Sequence, residues 1–187
     1  MNMKSIFLLM LMSLTGLHVG AQNVNNPAFA YTPGEDLVVF SEDFENGIGV
    51  MPDNWTRYPE SGNDTWLIDV EGSSTYFTIP AHTTFAFVDD DADGEDSYTR
   101  DSVMLFSQVF SCQGLTRPLV QFDALTFEFN DPNATMLLVT TDNWQTYDTL
   151  QVFGDILDWT TVRFNLADYI GSENVQLGFK YSDRELW

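Results

Sequence analysis

Beyond residue 36 the chain alternates short apolar runs with clusters of Gly, Pro, Asn and Asp. The runs are rich in β-branched and aromatic residues, which fit a pleated, half-buried surface. This pattern predicts strands at Leu37–Glu42, Thr65–Val70, Thr75–Ile79, Thr84–Val88, Ser102–Phe110, Leu119–Phe129, Thr135–Thr141, Thr149–Phe153, Thr160–Asn165 and Asn174–Tyr181. Only Leu166–Ile170 resembles a helix, about one turn long. Many short strands without intervening helices predict an all-β antiparallel sandwich or barrel.

Two strands carry further expectations. Val120, Phe122 and Ala124 share one parity, whereas Leu125, Phe127 and Phe129 share the other. Because alternate residues of a strand face opposite ways, the switch predicts either a β-bulge near Ala124–Leu125 or burial of both faces there. Asn174–Tyr181 is a strongly apolar strand with only six residues after it. Left as a sheet edge it would expose unpaired backbone, so a closing strand is expected to be missing.

The first 35 residues read differently. Met1–Lys4 is a short basic start, Ser5–Leu17 is mostly apolar, and Val19-Gly20-Ala21 supplies small residues before Gln22. This is the pattern of a secretory signal peptide over residues 1–21. Residues 22–35 are polar, contain Pro27 and Pro33, and read as a linker. Residues 36–187 form the expected domain. No later run approaches the length of a transmembrane helix. Cys112 is the single cysteine, so no internal disulfide can form, and its apolar flanks predict a packed, inert thiol.

Seven Lys+Arg against 28 Asp+Glu give a formal net charge of -21. That balance excludes a basic face for nucleic acid and opposes binding to anionic membranes. With 44% hydrophobic and 14% aromatic residues, the chain is also too apolar for a disordered acidic tail.

The acids concentrate in two places. Asp89-Asp90-Asp91-Ala92-Asp93-Gly94-Glu95-Asp96 follows an apolar strand. Such crowding costs energy in a tight loop unless a cation offsets it, and all-oxygen donors suit Ca²⁺. Asp89, Asp91, Asp93 and Gly94 match the opening of an EF-hand loop, but its twelfth position is Arg100. A β-loop calcium site and a merely solvated acidic loop both remain open. The second cluster, Ser41-Glu42-Asp43-Phe44-Glu45-Asn46-Gly47, ends the first expected strand. Strand alternation places Glu42 with Phe44 on one face and Asp43 with Glu45 on the other, with Phe44 anchored in the core. If the sheets bring both clusters together, they serve one or two ions.

Phe40-Ser41-Glu42-Asp43-Phe44-Glu45-Asn46-Gly47, followed by Met51-Pro52-Asp53-Asn54-Trp55, resembles the E-x-F-E-x-G … P-x-x-W opening of cleaved-adhesin and choice-of-anchor J domains. Phe85-Ala86-Phe87-Val88-Asp89-Asp90-Asp91 is similar to their next block, and Val139-Thr140-Thr141-Asp142-Asn143-Trp144-Gln145-Thr146-Tyr147 to their S-T-D-G-G-x-x-W hairpin. The resemblance spans Leu37 to Ser182. It implies a jelly-roll β-sandwich like MAM domains, in surface proteins of bacteria that use type IX secretion. It also implies calcium held by Glu42, Glu45, Asp89, Asp90 and Asp91, to which local chemistry adds Asp43 and Asp93. The family's terminal I-D-D strand is absent from this sequence, which again points to truncation.

The Thr140–Tyr147 segment partly fits an Asp-box, in which Asp caps a tight turn and an aromatic packs beneath. Trp144 stands where Gly is usual. A folding role for Asp142 and Trp144 is expected, with sugar stacking by an exposed Trp144 as the alternative. Trp55, Trp66 and Trp159 read as core or edge packing. His82 is the one His outside the leader, and it reads as a loop or edge residue. No nucleophile elbow, phosphate loop or His-Glu-x-x-His motif is present. The sequence therefore reads as a secreted or cell-surface, calcium-stabilised adhesion module for glycan or protein rather than as an enzyme. The alternatives are an accessory carbohydrate-binding domain, a hydrolase using Asp43 and Glu45, and a passive spacer.

Overall fold

The computed structural model describes residues 38–61, 65–70, 79–88, 102–127 and 135–182. The expected signal peptide, the linker and Asp89–Asp96 lie outside them. The chain is all-β. Its strands are β1 (Thr56–Tyr58), β2 (Leu67–Asp69), β3 (Phe85–Phe87), β4 (Val103–Phe106), β5 (Leu119–Thr126), β6 (Thr135–Thr140), β7 (Asp148–Val152), β8 (Ile156–Asn165) and β9 (Gln176–Tyr181). Among the described residues one 3-10 turn, at Ala167–Tyr169, falls inside the segment expected to be helical. No helix among the described residues is long and apolar enough to cross a membrane.

All strand pairs among the described residues are antiparallel. A five-stranded sheet runs β1-β4-β9-β6-β7, β2 pairs with β3, and β5 pairs with β8. Alternation explains which way each face points. Val103 and Leu105 of β4, Leu177 and Phe179 of β9, and Leu137 and Val139 of β6 are buried on the inner face of the large sheet. Val120, Phe122 and Ala124 of β5 are buried against them. Phe179 is the meeting point: its ring centroid lies 5.4 Å from Phe122, 6.4 Å from Trp55 and 6.5 Å from Trp66. Each such buried ring contributes roughly 1.5–3 kcal/mol through removal from water. Between β7 and β8 the chain turns a corner from the large sheet to the β5–β8 ribbon. Phe153 is buried there and its N–H donates to Thr135 O at 2.9 Å, while the Thr126 hydroxyl donates to Gly154 O.

Several expectations are corrected. Residues 38–42 form no strand, whereas Thr56–Tyr58 does. The expected strand at Ser102–Phe110 stops at Phe106. Beyond it, the Ser107 hydroxyl accepts the Leu177 N–H at 3.0 Å, and the Gln176 side chain donates to Ser107 O at 2.6 Å. Side chains thus replace the regular ladder until an isolated bridge at Phe110 and Val175. The C-terminal strand is not an edge: β9 is hydrogen-bonded to β4 on one side and β6 on the other. The argument for a missing strand drawn from an exposed edge therefore falls away.

The irregularity expected near Ala124–Leu125 is present. The β5–β8 register jumps from Ala124↔Thr160 to Thr126↔Ile156, so the extra residues sit on β8 opposite Leu125. Ala124, Leu125 and Thr126 are all buried, so both faces are covered at the same step.

Candidate functional site

The acidic segment at residues 42–45 is irregular backbone leading into a turn at Glu45–Asn46, not a strand end. The Phe44 N–H donates to Glu42 Oε1 at 2.7 Å, and the Glu45 N–H donates to Asp43 Oδ1 at 3.0 Å. Short acidic side chains that capture nearby backbone N–H groups favour turns over ladders. Phe44 adopts the left-handed conformation, with φ of 59°, and is fully buried with Trp55 5.4 Å away edge-on. The core anchor expected of Phe44 is thus real, but the turn undoes the strand alternation that placed Glu42 with Phe44 and Asp43 with Glu45.

Glu45 reaches farther. Its Oε1 accepts the Thr84 N–H at 3.0 Å, and its Oε2 accepts the Thr84 hydroxyl at 3.1 Å. Thr84 immediately precedes β3, and Asp89 follows two residues after β3 in the sequence. One carboxylate therefore bolts the acidic turn to the strand that feeds the second acidic cluster. Glu42 differs again. Burial pushes its carboxyl pKa above the usual 4.5; the Phe44 N–H bond opposes this, and the charges of Asp43 and Asp53 reinforce it. No Lys or Arg pairs with these carboxylates among the described residues. Nor do three or more His, Cys, Asp or Glu side chains gather as a ready-made metal site among those residues. Of the seven candidate ligands, Glu42, Asp43 and Glu45 share this turn. Asp89, Asp90, Asp91 and Asp93 lie outside the described residues.

The Thr140–Tyr147 hairpin has the folding role expected of it. Asp142 Oδ1 accepts from the Thr140 hydroxyl at 2.8 Å and the Thr146 N–H at 2.9 Å, and Oδ2 accepts from the Thr146 hydroxyl at 2.7 Å. These bonds, those from Thr146 foremost, hold the Asp142 carboxyl below its ordinary pKa. Asn143 and Trp144 both take left-handed backbone conformations, with φ of 59° and 65°. Trp144 occupies a position where Gly is usual because its ring has somewhere to go. Its indole N–H donates to Gln176 Oε1 at 2.7 Å, Phe106 lies 4.9 Å away edge-on, and the ring packs over Gly178 of β9.

His82 lies in the segment before β3, as expected of a loop residue. Its Nε2 is 3.8 Å from Asp123 Oδ2, and its Nδ1 accepts the Thr83 N–H at 2.7 Å. Trp159 clamps this loop: its indole N–H donates to Pro80 O at 2.9 Å, and its ring contacts His82 at 4.5 Å and Phe85 at 5.3 Å. The Thr83 hydroxyl also lies 3.1 Å from His82 Nδ1, and the Thr161 hydroxyl donates to Asp123. The His82–Asp123 contact was not legible in the sequence, because the two residues meet only where the segment before β3 packs against the β5–β8 pair.

Comparisons with protein-family models, with curated proteins and with solved structures find no match to this chain.

Proposed function

We propose that this chain is a calcium-stabilised binding module of jelly-roll type, exported and held at a cell surface, that recognises a glycan or another protein. The observation that carries this reading is the grip of Glu45 on Thr84, which ties the acidic turn to the strand leading into Asp89–Asp93. The second support is that burial raises the Glu42 pKa and the nearby charges of Asp43 and Asp53 add to it. A divalent cation there would relieve repulsion between Glu42, Asp43 and Asp53 and draw the two acidic segments together.

The test is thermal unfolding in calcium and in excess chelator. An ion that binds only the folded chain at 100-fold excess over Kd adds about 2.7 kcal/mol, a shift of roughly 5–10 °C for a domain of this size. Glu42→Gln should raise the chelated protein's melting temperature at neutral pH and shrink the calcium effect. The sign follows from the raised pKa: the protonated form is favoured on folding, so this contribution is present below about pH 4.5 and lost as pH rises through the folded value. Identical melting with and without calcium would remove the ion from the proposal.

A further inference from the structure

The outer face of the five-stranded sheet carries an arrangement that neither the acidic turn nor the hairpin accounts for. Register places Tyr58 opposite Met104, Met104 opposite Lys180, and Lys180 opposite Met136. These four side chains share one face and form a row across β1, β4, β9 and β6. At strand spacing the row is ~14 Å long. The adjoining row is walled by Phe106 and by the Trp144 ring over Gly178. Tyr58 is 64% exposed at one end, while Met104, Lys180 and Met136 are half-buried.

Lys180 sets the chemistry. In a chain with 28 acids and seven Lys+Arg, its ammonium makes no ion pair or hydrogen bond with a described residue. By register Lys180 is flanked by Met104 on one side and Met136 on the other. Rings and thioethers suit the apolar faces of a sugar, and an ammonium without a described partner in a half-buried row suits a carboxylate. An extended peptide is a poorer match, because β4, β9 and β6 are already paired and offer no free backbone to an added strand. The net charge of -21 opposes an anionic ligand at long range, but screening over about 8 Å leaves the local cation in control.

We propose that this row is a binding site for a carboxylated oligosaccharide, with Lys180 on the carboxylate and Tyr58, Phe106 and Trp144 against the sugar rings. The proposal rests on the reading of the chain as a binding module but not on its calcium. Titration calorimetry of the intact protein with trigalacturonate, 3′-sialyllactose and a hyaluronan tetrasaccharide tests it, with the methyl ester of each as the uncharged control. At least one acid form should bind, and its ester at least tenfold more weakly. Lys180→Gln, a surface change whose folding is checked by circular dichroism, should bring the acid down to the level of the ester. Tyr58→Ala should weaken both forms. Silence across the panel, equal affinity for acid and ester, or binding unmoved by Lys180→Gln overturns the proposal. So does a concentration-dependent dimer that Tyr58→Ala dissociates, which assigns the face to a second copy. Repeating the titration in chelator separates the two readings: binding that persists without calcium upholds the site whatever becomes of the ion.

Discussion

Gly178→Ala is a one-carbon test of how the hairpin is fastened to the sheet. A Cβ at position 178 would lie 2.3 Å from Trp144 Cη2, 3.1 Å from Trp144 Cζ2 and 2.8 Å from Met104 Cε. The methionine tip can swing aside. The indole cannot, because its N–H is held by Gln176 and Phe106 lies against it. The added methyl therefore forces the ring off the strand. Overpacking of this kind costs about 1–3 kcal/mol, and loss of the indole hydrogen bond adds about 0.5–1.5 kcal/mol. Against that, Ala in a strand regains about 0.5–1 kcal/mol over Gly. The net expectation is about 2 kcal/mol of destabilisation, read from urea unfolding followed by tryptophan fluorescence. The decisive comparison is a double-mutant cycle with Trp144→Ala, because contacting residues couple and independent ones add. Removing the indole should abolish most of the penalty. A penalty of the same size in both backgrounds, or none in the first, would show that Trp144 does not rest on Gly178.

Other outcomes follow from the same geometry. Asp142→Ala should lower the melting temperature at pH 7 and lose its effect in acid. The Asp142 carboxyl is held below its usual pKa of 3.8, so its contribution is present above that value and disappears as pH falls through the folded one; melting at pH 7 and pH 2.5 checks the sign. Cys112 is fully buried and its thiol is pushed up to about 11. Native protein at pH 8 should therefore leave a disulfide reagent unreacted, with full reaction in denaturant; rapid native labelling would contradict its packing.

Where local pattern decides structure, the sequence was readable. The strands found within or beside the expected Thr65–Val70, Thr84–Val88, Leu119–Phe129, Thr135–Thr141, Thr149–Phe153, Thr160–Asn165 and Asn174–Tyr181, the one-turn helix near Ala167, the irregular step at Ala124, the buried Phe44 and the buried Cys112 all follow from periodicity and composition, whereas all but the last residue of the expected strand Thr75–Ile79 lies outside the described residues. The irregular backbone at Glu42–Glu45 was not readable, because alternation assumes ladder bonds and here carboxylates capture the N–H groups. Thr56–Tyr58 is too short for periodicity to register. Sheet order is a tertiary property, so nothing local announced that β9 sits in the middle. The row around Lys180 was hidden for the same reason: its members come from separate segments and meet only through register. The order of the motifs made Asp142 legible, whereas the seat of Trp144 depended on a glycine 34 positions later whose meaning required the fold.

The central place of β9 has a consequence for how the molecule is made. Leu177 exchanges hydrogen bonds with Ser107 across 70 positions, and Phe179 gathers rings from three distant segments. Such long-range closure is slow, because chain entropy must be lost before contacts compensate it. During synthesis the large sheet stays split, with β4 on one side of a gap and β6 on the other, until Tyr181 has cleared the ribosome. A chain built in this order cannot close its large sheet until its last described strand has been made.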